Sequence, residues 1–82
     1  MDDTLEFEFG GNTFEASRAA LGSYKVAKKI ALAQDDPKGI FEVFDTVFAG
    51  RDEEYSELVG GTVEGMGNLL SAAIEAAGSK NS

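Results

Sequence analysis

The chain contains no cysteine and no histidine, and only one proline. Without cysteine there is no disulfide, no thiolate metal site and no thiol nucleophile. Without histidine the usual general base and the commonest transition-metal ligand are missing, and no serine or threonine has an imidazole to activate it. No apolar run approaches the ~18 residues of a membrane span. Bases are scarce as well: seven Lys and Arg stand against fifteen Asp and Glu, a formal charge of −8. That balance disfavours nucleic-acid phosphates and anionic membrane surfaces, both of which call for clustered cations. No catalytic residue, cofactor-binding residue or metal ligand is assigned, and the expectation is that the chain is not an enzyme.

Eighty-two residues make one domain. A chain of this length buries only about 60–65% of its unfolded surface, so its core is thin. Small domains without disulfide or metal staples often gain stability by oligomerising. The opening Met1-Asp2-Asp3 is acidic where a secretory signal would be basic and then apolar, so the chain reads as cytoplasmic. Charge is unevenly spread. Residues 1–16 carry −5 and residues 35–82 carry −7, whereas residues 17–34, with Arg18, Lys25, Lys28 and Lys29, carry +4. One basic element in an acidic body suits head-to-tail or intramolecular charge pairing.

The patterning predicts an α+β, helix-dominated domain spanning residues 1–78: an N-terminal β-hairpin packed on about four short helices. Leu5, Phe7 and Phe9 alternate with Thr4, Glu6 and Glu8, the period of a half-buried strand. Gly10-Gly11-Asn12 is a turn signal. A two-residue loop at Gly11-Asn12 pairs Phe9 with Phe14 and Phe7 with Ala16, closing a hairpin over residues 4–16 with both apolar sets on one face and Glu8 opposite Glu15. Helices are expected over about 24–34, 37–49, 53–59 and 63–77. Ser23, Asp36, Asp52 and Thr62 are their caps, Pro37 occupies a first helical position, and Gly50 and Gly78 are stops. Phe7, Phe9, Phe14, Ile30, Phe44, Val47, Leu58, Leu69, Leu70 and Ile74 should form the core. The polar tail 79–82 is expected to be disordered.

Three clusters invite a chemical reading. Asp35-Asp36 and Asp52-Glu53-Glu54 resemble cation ligands, but they fall at helix N-termini, where acids complement the macrodipole, and they lack calcium-loop spacing. Gly65-Met66-Gly67 matches the start of a dinucleotide fingerprint but lacks the third glycine and a preceding strand, so close packing is the better account. Lys25, Lys28 and Lys29, at helical spacing, form either a solvated face or a partner-docking patch. Phe41 lies about 100° round its helix from Ile40; the wide apolar arc slightly favours a place in the core, and it is an interface candidate if exposed. Tyr55 is a second apolar candidate. The partner-binding candidates are therefore Lys25, Lys28, Lys29, Phe41 and Tyr55.

The order of features resembles the tail assembly chaperones of long-tailed bacteriophages and prophages. The stretch EFEFGGNTFEAS resembles the short segment that precedes their helical body. DDPKGIFEVFDTVFAGRDEEYSELVGG is similar to their central helices, and VEGMGNLLSAAIEAAGSKNS to their last helix and abrupt tail. The resemblance covers nearly the whole chain. It implies a protein of the bacterial host cytoplasm that binds the long helical tape-measure protein and keeps it soluble until the tail tube polymerises, and that self-associates. It also implies a longer product made by frameshifting, for which Lys80-Asn81 is a candidate slippery site. The other function considered is a small acidic inhibitor or nucleic-acid mimic that blocks a basic partner. A structural virion component is a third.

Overall fold

The computed structural model describes residues 4–33, 35 and 37–81. The architecture is α+β and helix-dominated, with the hairpin at the N-terminus: β1 (Thr4–Phe9), β2 (Asn12–Ser17), α1 (Arg18–Leu21), α2 (Tyr24–Ala31), α3 (Pro37–Val47), α4 (Asp52–Leu58) and α5 (Val63–Asn81). No described helix is long and apolar enough to cross a membrane.

The hairpin forms, but in a different register from the one expected. Phe9 pairs with Asn12, Phe7 with Phe14 and Leu5 with Ala16, and the like-charged pair is Glu6–Glu15. The loop is Gly10-Gly11, at φ 59° and 85°. A two-residue hairpin loop of the favoured hand needs positive φ at both positions, which two glycines supply without strain. Shifting the register by two residues leaves every side chain on its face, so alternation alone does not separate the two pairings. The turn decides between them.

Ser17, at the end of β2, caps the unanticipated short helix α1 by accepting the Ala20 N–H at 3.2 Å. Ser23 caps α2 and Thr62 caps α5, as their positions suggested. Asp52 does not cap α4. Arg51 holds the cap position without a side-chain bond, and Asp52, Glu53 and Glu54 form the first turn, where they favour the helix dipole. Asp36 lies outside the described residues. The ends of α3 and α4 share one geometry. Gly50 N–H donates to the Asp45 carbonyl at 2.9 Å, and Gly61 N–H to the Ser56 carbonyl at 2.7 Å, each a six-residue closure. Each has two successive residues at positive φ, Ala49 (54°) and Gly50 (83°) in the first and Gly60 (101°) and Gly61 (70°) in the second. Gly78 does not stop α5, which continues to Asn81. Residues 79–81 are thus helical rather than part of a disordered tail, and Ser82 lies outside the described residues.

The core joins the inner hairpin face to α3, α4 and α5 through Leu5, Phe7, Phe14, Val43, Phe44, Val47, Phe48, Tyr55, Met66, Leu69, Leu70 and Ala73. Four expected core residues sit further out. Phe9, at the strand end beside the turn, and Ile30, in the last turn of α2, are half-buried against the cluster. Leu58 is 51% exposed because α4 rests on the edge formed by Tyr55 and Val59. Ile74 is 43% exposed, one residue and roughly 100° beyond the buried Ala73.

Candidate partner-binding groove

Tyr55 is buried, 3% exposed, and is not a surface contact. Its ring meets Phe14 edge-on at 4.8 Å and Phe48 at 5.5 Å. Its hydroxyl accepts the Glu15 backbone N–H at 3.2 Å. In the observed register Glu15 lies at a pair whose N–H groups point away from the partner strand, so this donor has no acceptor on β1. Tyrosine suits the position because its ring fills the core while its hydroxyl meets the strand edge. Arg51 closes over this corner, with its guanidinium carbon 5.0 Å from the Tyr55 ring centre and its nitrogens 3.2 Å from Glu15 and 2.9 Å from Glu54.

The expected lysine patch divides. Lys29 bonds Glu42 and ties α2 to α3. That hydrogen bond, with the attraction of the ammonium, holds the Glu42 carboxyl below its ordinary range. Lys25 and Lys28 are exposed and make no ion pair among the described residues. The lysines and Phe41 are therefore not one site with Tyr55.

Phe41 is 53% exposed, its ring edge-on to the buried Phe44 at 6.4 Å. It forms one wall of a groove of about 200 Å³ between α3, the first turn of α4 and the start of α5. Val63, 53% exposed, stands at the other side, Met66 and Phe44 form the floor, and Asp52, Glu53 and Ser56 line the α4 rim. The groove exists because Gly65 lets α5 start against the end of α4. A Cβ there would lie 2.3 Å from the Val59 carbonyl oxygen. Asp52 and Glu53 face the groove without a cationic partner among the described residues. Its volume is below the 300–1,000 Å³ of common small-molecule sites and suits a single large side chain.

Sequence reasoning found Phe41 but missed Val63, Asp52 and Glu53 as neighbours. Val63 shares the spacing of the buried stripe Met66, Leu70 and Ala73, but it stands at the helix end, where the stripe overshoots the core. Among the described residues no group of three or more acidic side chains converges to hold a metal ion. No protein-family model, curated protein or solved structure matches this chain.

Proposed function

We propose that this chain is a non-enzymatic tail assembly chaperone of a long-tailed bacteriophage or prophage, which binds helical segments of the tape-measure protein and keeps them soluble. The observation that carries the reading is the groove: two half-exposed apolar side chains, Phe41 and Val63, beside two carboxylates with no cationic partner among the described residues. That combination fits an amphipathic helix presenting one apolar anchor flanked by Lys or Arg. The hairpin followed by helices agrees with what the resemblance implies, and a charge of −8 keeps a complex with an apolar client dispersed.

Co-expression with the tape-measure protein of the same gene cluster tests the proposal. The soluble yield of that protein should rise and the two should co-purify, and Phe41→Ser with Glu53→Lys should abolish both effects while the variant remains folded. No rise in yield and no co-purification with the parent chain would overturn the reading in favour of an acidic inhibitor of a basic partner.

A further inference from the structure

The two long edges of the hairpin differ. In the observed register the Glu6–Glu15 and Glu8–Thr13 pairs carry N–H and C=O groups that point away from the facing strand. On the β2 side, the Glu15 N–H is taken by the Tyr55 hydroxyl and the Glu15 carboxylate by Arg51. On the β1 side, the backbone groups of Glu6 and Glu8 make no hydrogen bond among the described residues. Their side chains are exposed and have no cationic partner there either. The buried side chains of β1, Leu5 and Phe7, point to the inner face, which leaves this edge outside the core. An open edge is a template for another extended chain. A second copy of β1 fits it badly, because antiparallel edge-to-edge pairing sets glutamate against glutamate. A strand with a cation at alternate positions sets an opposite charge against each.

We infer that β1 is a docking edge for an extended segment of another protein, with Lys or Arg at alternate positions and apolar residues between them. The segment lies antiparallel to β1 as a third strand of the sheet. Two of its residues face Glu6 and Glu8, exchange N–H and C=O bonds with them, and place their cations beside the two carboxylates. The residues between turn to the inner face, beside Phe7 and the half-buried Phe9. This occupant is an extended basic strand, unlike the helix proposed for the groove, and the inference does not rest on that proposal. The contact is short and its charges are exposed, so it is weak, reversible and sensitive to salt.

Amide hydrogen exchange followed by NMR tests this with the end-blocked peptide Lys-Val-Lys-Val-Lys-Val. Exchange at the Glu6 and Glu8 amides should slow severalfold, and added salt should weaken the effect. The peptide Glu-Val-Glu-Val-Glu-Val should protect neither amide. The lysine peptide N-methylated at the backbone of its lysines keeps its charge but lacks the donors, and it should not protect them either. Glu8→Pro removes one outward N–H without touching a bond to β2, a change that edge strands tolerate. That variant should keep the hairpin and lose the peptide, as read at the Glu6 amide. No slowing in the parent, equal slowing by the glutamate peptide, protection by the N-methylated peptide, or undiminished binding to folded Glu8→Pro each overturns the inference. Should Glu8→Pro fail to fold, the N-methylated peptide on the parent chain still decides. Failure of the co-expression experiment would leave these results unaffected.

Discussion

Gly65 and Gly67 sit two residues apart in α5, and the structure assigns them opposite responses to the same change. At Gly65 a methyl group would lie 2.3 Å from the Val59 backbone oxygen and 3.2 Å from both the Val59 side chain and the Thr62 hydroxyl. Relieving the backbone clash alone moves the start of α5 roughly 1 Å from the end of α4, and overpacking of this kind costs about 1–3 kcal/mol. The same movement strains the bond by which Thr62 accepts the Gly65 N–H, a cap worth about 1 kcal/mol. Against this stands the better helix propensity of alanine, at most about 1 kcal/mol. Gly65→Ala should therefore destabilise by about 1–3 kcal/mol. At Gly67 an added Cβ meets nothing within 4 Å, so Gly67→Ala should stabilise by up to about 1 kcal/mol. For a domain of this size each kcal/mol moves the midpoint by roughly 4–8 °C, so thermal melts followed by circular dichroism separate the two variants clearly. Gly65→Ala melting at or above the parent temperature would refute the close approach of α5 to α4, and with it the shape of the groove.

Three further outcomes follow from the same geometry. Tyr55→Phe should lose about 1 kcal/mol in urea titrations by stranding the Glu15 N–H, and Tyr55→Ala about 3–5 kcal/mol; equal losses would show that the ring, not the hydroxyl, makes no difference to packing and would contradict the buried site. Ala49→Gly should raise stability by about 1 kcal/mol, since a left-handed conformation costs a side-chain-bearing residue about 1–2 kcal/mol, and a melt showing no gain would place Ala49 outside that conformation. The Glu42 carboxyl is lowered by Lys29, so the folded state holds this proton less tightly than the unfolded chain; the pair's contribution is present above the ordinary glutamate range and is lost as the pH falls through the lowered value. An NMR titration should show Glu42 returning to the ordinary range in Lys29→Met, and an unchanged midpoint would remove the pair.

Fold class and the faces of the hairpin were legible because they rest on periodicity, which survives the loss of all tertiary information. The register was not, because pairings two residues apart bury the same side chains, and only the demand for two positive φ angles, met by Gly10 and Gly11, separates them. Phe41 was only half legible: its i, i+3, i+7 spacing with Phe44 and Phe48 slightly favours the core, and periodicity does not tell that this edge of the apolar arc stays 53% exposed. Tyr55 and Leu58 were exchanged, with the polar-tipped residue inside and the aliphatic one outside. On a seven-residue helix with Tyr55 and Leu58 as its large apolar residues and Val59 at its C-cap, the pattern allows two faces, and the hydrogen bond that favours Tyr55 inside comes from the Glu15 N–H, a donor of another element. The groove was hidden for a similar reason: its walls come from three helices, and nothing along one helix reports the angle to the next.

The bond between the Glu15 N–H and the Tyr55 hydroxyl also makes one amide a reporter of a particular event. Neighbouring amides of the hairpin that donate across to the facing strand exchange with deuterium when the strands separate. The Glu15 amide needs only α4 to lift away, with the hairpin still closed. Its exchange rate, compared with those across-strand amides, therefore measures how often the helical layer undocks from an intact hairpin.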